Sequence, residues 1–357
     1  MREYGDGRRR GSPDWSGMTI AMRLTRFAAG VVFSARRGQA EPAERRAAWL
    51  DRPYPEPARI PKRLERLCHI ETTTRHGRPV ITLTPRGGGG AAVGARADTG
   101  GAGAGGGAAR AGAGAGPVDP AGAASPAAEI VYLHGGAYVN PLLGAHWAII
   151  EQLVRRMDAR VTVPLYGLAP WHTVDDALPL LREVYDEVRA RTDGPVLIAG
   201  DSAGGGLALA LAMELRDEGA PPPDALLLIS PWVDVRLENP GIPPLEPGDR
   251  MLGAGTLRLA GDLWRGSRSA DDPVVSPIAD ALAGLPPIRA VVGGKEIFVP
   301  DVRAFARKAR AAGTDAELRI YPDGFHDFVG ATFTLEARDA LAWFAAAVPT
   351  TPAATRD

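Results

Sequence analysis

Ser202 stands in Gly200-Asp-Ser-Ala-Gly204, a G-x-S-x-G run entered directly from the apolar stretch Val196–Gly200. A segment of small residues with helical character follows it. A strand that turns straight into a helix forces the residue at the bend into strained backbone angles. Glycines on either side let the two elements close up. The hydroxyl then stands at a helix N-terminus, where partial positive charge favours an oxyanion. Ser202 is therefore a candidate nucleophile for acyl transfer. His134-Gly-Gly-Ala137 follows another apolar stretch, Glu129–Leu133, 68 residues before the serine. A lone HGG reads most simply as a turn, but here it closes a strand. With no Cβ in the way, the N–H groups of Gly135 and Gly136 can point into a shared hollow. Joined by the N–H of Ala203, they form a candidate oxyanion hole.

These groups need a frame that brings strand ends together. Short runs rich in Val, Ile and Leu, bounded by Gly, Pro or Asp, occur at Val80–Thr84, Glu129–Leu133, Arg160–Leu165, Val196–Gly200, Ala225–Ser230, Ile288–Gly293 and Leu318–Tyr321. Helical stretches such as Gly205–Glu218 and Asp301–Ala312 lie between them. Strands alternating with helices predict a largely parallel sheet covered on both faces. Two segments break the rhythm: residues 20–58, and 236–272 with prolines at 240, 243, 244 and 247. Both are expected to fold over the C-terminal edge of the sheet as a cap. Between Gly87 and Gly116, fourteen of 30 residues are Gly and eleven are Ala. That stretch offers nothing large to bury and a high backbone entropy cost, so residues 87–126 are read as a disordered insertion loop. Residues 1–19 read as a disordered leader, with translation starting at Met1 or Met18. The remainder, 20–357, is expected to form one domain.

HGGAY, YGLAP (Tyr166–Pro170), GDSAGG, SPWVDV (Ser230–Val235) and DPVVSP (Asp272–Pro277) occur in that order. The series resembles the hormone-sensitive lipase-like family of α/β-hydrolases, the bacterial carboxylesterases with an HGGG motif, from about Pro79 to Phe344. The resemblance implies a mostly parallel eight-stranded sheet, a helical cap, and cofactor-free hydrolysis of short or medium acyl esters. There are departures. Ala137 replaces the third glycine of HGGG, where only backbone lines the hole. YRLAPE reads Tyr166-Gly-Leu-Ala-Pro-Trp171, which drops an arginine and a glutamate.

A serine hydroxyl is a poor nucleophile until a base takes its proton. Of six histidines, His326 lies in the loop after the last predicted strand, where the order Ser, acid, His places the base. His134 reads as an anchor of the oxyanion loop. His69, His76, His146 and His172 carry no signal beyond solvated or core positions. The acid is expected at the end of Ile288–Gly293, where the chain continues Gly-Lys-Glu-Ile-Phe-Val-Pro-Asp301. The family resemblance places an Asp where Lys295 stands, and a lysine cannot accept the Nδ1–H bond that fixes the imidazole tautomer. Glu296, one residue on and one methylene longer, is favoured. Asp301, read as a helix cap, is the runner-up, with another carboxylate or none also open. Asp323 is near His326 in sequence but on the wrong side of the loop. Tyr138 and Trp147 are candidate walls of the substrate pocket.

The composition bounds the function. The formal charge is 41 − 42 = −1, which gives no overall field for collecting nucleic acid or anionic membrane. Residues 1–66 carry fifteen basic against eight acidic residues, read as a solvated arginine-rich segment. Cys68 is alone, so no disulfide framework and no cysteine metal site is expected, which suits a reducing cytoplasm. Phe27–Phe33 is too short to span a bilayer, so no stable membrane insertion is expected. The expected enzyme needs no cofactor or metal and acts on a small-molecule ester; assembly is left open, a homodimer included. An amidase or deacetylase with the same triad is the neighbouring alternative. A non-catalytic ligand receptor on the same fold is the distant one, disfavoured because both Ser202 and His326 are kept.

Overall fold

The computed structural model describes residues 21, 22, 25, 42–87 and 126–349. The leader and the Gly/Ala-rich stretch 88–125 lie outside the described residues. Eight strands form one sheet: β1 (Cys68–Arg75), β2 (Arg78–Pro85), β3 (Ala128–Leu133), β4 (Ala159–Pro164), β5 (Val196–Asp201), β6 (Ala225–Ile229), β7 (Ile288–Gly293) and β8 (Ala316–Tyr321). Their spatial order is β1-β2-β4-β3-β5-β6-β7-β8. β2 runs antiparallel to both β1 and β4, and the remaining pairs are parallel. This is the mostly parallel eight-stranded sheet that the resemblance implies.

β1 is a strand that the sequence pattern does not predict. Its text, Cys-His-Ile-Glu-Thr-Thr-Thr-Arg, is too polar to announce a buried strand, and of its residues only Cys68 is buried. Its partner specifies it. A two-residue hairpin, with His76 and Gly77 both at positive φ (46° and 69°), folds it back on β2. Such turns match the twist of paired strands.

The inner strands are buried on both faces, as parallel strands must be. Ile130 and Tyr132 point into one core layer, Val131 and Leu133 into the other. The α-helices bounded within the described residues are α1 (Pro42–Asp51), α2 (Lys62–Leu67), α3 (Gly144–Met157), α4 (Val174–Ala190), α5 (Ala203–Asp217), α6 (Ala254–Arg265), α7 (Val299–Ala311) and α8 (Leu335–Ala345). α3 and α8 close one layer; α4, α5, α6 and α7 close the other. The start of α4 is set by Thr173, whose N–H donates to Asp176 three residues on (2.8 Å). α5, flanked by β5 and β6, is apolar nearly all round and buried along most of its length. The break in the βα rhythm after β6 is α6 with the turns before it, and α1 packs against α6. No helix among the described residues is long and apolar enough to cross a membrane.

Candidate active site

Ser202 occupies the bend between β5 and α5 with φ 50° and ψ −119°, a conformation an L-residue holds only under compulsion. The compulsion is visible in its backbone bonds. The Ser202 N–H donates to the Ile229 carbonyl (2.8 Å), and its own carbonyl accepts from Gly205, Gly206 and Trp232 (3.0, 3.2 and 2.9 Å). Gly204 permits the close approach: a Cβ there would sit 2.0 Å from the Leu133 carbonyl oxygen. Gly135 is pressed against the bend from the β3 side. A Cβ on it would meet Asp201 Oδ2 at 2.2 Å and Ser202 Cβ at 3.0 Å. Gly136 follows with φ 117°, and Ala203 is the first residue of α5, where backbone N–H groups have no intrahelical partner.

His326 comes from the loop after β8. Its Nε2 lies 2.9 Å from Ser202 Oγ and its Nδ1 2.8 Å from Glu296 Oε2. All three side chains are buried. Two backbone bonds tie the β7 turn to the His326 loop. Gly294 N–H donates to the Tyr321 carbonyl (2.7 Å), and Lys295 N–H to that of Gly324 (3.1 Å). Lys295 itself faces outward, half exposed, with Asp323 at 3.7 Å. Asp301 lies away from this relay. It sits inside the first turn of α7, whose cap is Phe298, and meets Asn239; burial pushes its carboxyl up to about 6. Burial also pushes Glu296 up, to about 7, against the pull of His326.

A third carboxylate also reaches the base. Asp327 Oδ2 lies 3.2 Å from Nε2 of His326, the same nitrogen that faces Ser202. Beneath the nucleophile runs a further network invisible in the text. Tyr132 donates to Asp201 Oδ1 (2.5 Å), and His146 Nε2 lies 3.1 Å from Asp201 Oδ2. Nδ1 of His146 accepts from the Leu143 N–H (2.8 Å). Burial opposes ionisation of Asp201, but His146 and the Tyr132 hydroxyl outweigh it and hold the carboxyl below its ordinary value. The i−1 position of Asp201 next to the serine was the only available hint. His134 stacks on Tyr166 (4.5 Å between ring centres), whose hydroxyl donates to the His134 carbonyl (2.6 Å). Burial and the neighbouring His146 push His134 down to about 4, so it is neutral at pH 7.

The two pocket candidates separate. Tyr138 stacks on Trp264 of α6 (4.4 Å, 3° between planes) and on Trp232 (5.5 Å). Trp232 stacks in turn on Phe298, whose ring meets His326 edge-on at 5.1 Å. An aromatic ladder thus connects the base to α6. Trp147 belongs to the opposite core layer and donates its indole N–H to the Ala58 carbonyl (2.8 Å). Among the described residues, no group of three or more His, Cys, Asp or Glu is placed to hold a metal ion.

A profile for the alpha/beta hydrolase fold matches residues 130–330. An esterase of Acinetobacter venetianus is 33% identical over 229 residues, covering 61% of this chain and 74% of the relative. An acetyl-hydrolase of Streptomyces hygroscopicus is 32% identical over 201 residues, covering 55% and 67%. The crystal structure of an esterase from the bacterial hormone-sensitive lipase family superposes with a TM-score of 0.69 at 22% identity, over 92% of this chain and 97% of the other. At that identity the likeness is one of fold.

Proposed function

The chain belongs to the α/β-hydrolase family, in its hormone-sensitive lipase-like branch by the motifs it carries, and from that premise we propose that it hydrolyses short- to medium-chain carboxylic esters through Ser202, His326 and Glu296. The observation that carries the reading is the continuous relay Ser202 Oγ, His326 Nε2, His326 Nδ1, Glu296 Oε2, with steps of 2.9 and 2.8 Å. Glu296 accepts the Nδ1–H bond and so leaves the lone pair of Nε2 facing the hydroxyl. Ser202 attacks the acyl carbonyl as His326 takes its proton. The N–H groups of Gly135, Gly136 and Ala203 receive the charge that forms on the carbonyl oxygen. His326 then protonates the departing alcohol, and water repeats the sequence on the acyl-enzyme.

Residues 20–58 and 236–272 act in this reading as a cap over the site, with the contact between α1 and α6 as its described part. In this reading the fully buried ladder Tyr138, Trp232 and Trp264 is packed core behind the pocket and limits its depth. An acyl chain of roughly two to eight carbons fills it, each buried methylene contributing about 0.8 kcal/mol until the wall is reached. The acetyl-hydrolase relative agrees with the short end of that range. The single buried cysteine, Cys68, suits a reducing compartment, and the cytoplasm is the proposed location. A series of p-nitrophenyl esters from acetate to palmitate, with p-nitroanilides beside them, tests the reading. Highest kcat/KM at short chains and weak anilide turnover are expected. Faster hydrolysis of long-chain triglyceride or of the anilides would replace it with a lipase or an amidase.

A further inference from the structure

We propose that Asp327 is a positioning residue, a second carboxylate that grips His326 through the nitrogen facing the nucleophile and sets the pH at which that base is free to act. The inference rests on the assignment of Ser202 and His326 above and adds a residue that assignment does not use.

Nε2 of His326 faces two groups, Ser202 Oγ at 2.9 Å and Asp327 Oδ2 at 3.2 Å. Nδ1 is already committed to Glu296; in the active form, with Glu296 ionised, that oxygen can only accept, so Nδ1 carries a hydrogen. An unprotonated Nε2 and a carboxylate oxygen both present lone pairs, and at this distance they repel unless a proton lies between them. The resting site therefore holds one proton more than the relay from Ser202 to Glu296 requires.

The backbone locks this contact. Asp327 has φ 54° and ψ 33°, a left-handed conformation that Asp tolerates better than most residues. Its N–H donates to Ser230 Oγ (3.3 Å) and its carbonyl accepts from Gly330 (2.9 Å). The second oxygen, Oδ1, is buried with no hydrogen-bond partner among the described residues, so no other donor draws the carboxylate away. The groups around the pair are mainly acidic: Glu296 from the turn after β7, with Asp249 from the turns before α6 behind it, and Asp201 from the end of β5, with His146 from α3 and Tyr132 from β3 behind them. Burial works against a charged imidazole, but Asp327 and Glu296 outweigh it and hold His326 well above its ordinary 6.5.

The proton balance follows. The extra proton leaves to solvent first. Nε2 then accepts the Ser202 proton as the new O–C bond forms, and returns it to the departing alkoxide as the ester C–O bond breaks. The acid limb of the pH–rate profile reports that first loss.

The test is kcat/KM for p-nitrophenyl butyrate from about pH 5 to about pH 9 with the full chain, its Asp327→Asn form and its Asp327→Gly form. Both replacements tolerate the left-handed backbone. The wild-type limb is expected above 6.5, and in both variants about one unit lower or more, the size of shift one opposite charge produces. Relative to its own plateau, each variant then gains roughly five- to tenfold at pH 6. A residue that only braces the loop would lower the plateau and leave the midpoint in place. Coincident midpoints overturn the proposal. If neither variant folds, an NMR titration of the His326 ring in the Ser202→Ala protein decides the matter, since a midpoint at or below 6.5 overturns it equally. Activity that survives Ser202→Ala or His326→Ala would instead overturn the reading on which the inference rests.

Discussion

Glu296 Oε2 reaches Nδ1 of His326 at 2.8 Å from the turn after β7, while the preceding residue, Lys295, points out of the same turn toward Asp323. One residue of displacement along that turn is absorbed by the longer side chain of a glutamate. The consequence is a sharp division of labour. Glu296→Gln is expected to lower kcat by about 10³- to 10⁴-fold with little change in KM, because an amide does not stabilise the imidazolium of the transition state. Lys295→Ala is expected within about twofold of wild type, since an exposed ion pair contributes little. Lys295→Asp in the Glu296→Gln background should restore part of the lost kcat. Steady-state kinetics on a p-nitrophenyl ester measures all three. An active Glu296→Gln with a dead Asp301→Asn would move the acid five residues along the chain.

Gly135 tests the other side of the site. A Cβ there would stand 2.2 Å from Asp201 Oδ2, so the β3–α3 loop must shift to accept it. Gly135→Ala is expected to lose about 10²- to 10³-fold in kcat, the usual effect of displacing one oxyanion donor. Circular dichroism should show the secondary structure intact. A fully active Gly135→Ala would exclude this N–H from the reaction.

His146 is expected to matter for stability. It lies 3.1 Å from Asp201, a fully buried carboxylate whose other side-chain partner among the described residues is the Tyr132 hydroxyl. Removing one partner of a buried charged pair costs about 3–5 kcal/mol. His146→Ala should therefore unfold at markedly lower urea concentration at pH 7, with an unchanged m-value. A variant as stable as wild type would show that Tyr132 alone satisfies Asp201.

The parts of the molecule that the text disclosed are those governed by local rules. Buried parallel strands read as Val/Ile/Leu runs because both their faces are covered. The bend at Ser202 was legible because Gly204 has no room for a Cβ, 2.0 Å from the Leu133 carbonyl. β1 was illegible because its strand character comes from pairing with β2 and not from its own polar sequence. The helix beginning at Val299 places Asp301 in its first turn instead of at its cap, since Pro300 starts the helix earlier than the text suggested. The contacts of His146 and Asp327 depend on where the first turn of α3 and the loop after β8 cross the end of β5. No spacing along the chain encodes such crossings.

The central claim is that Ser202 attacks the ester carbonyl. Hydrolysis of p-nitrophenyl butyrate by the purified wild-type chain and its Ser202→Ala form, at equal concentration and with matched circular dichroism, tests it most directly. The account predicts robust turnover by the first and a loss of about 10⁴-fold or more in kcat for the second. Comparable turnover by the two proteins would contradict it.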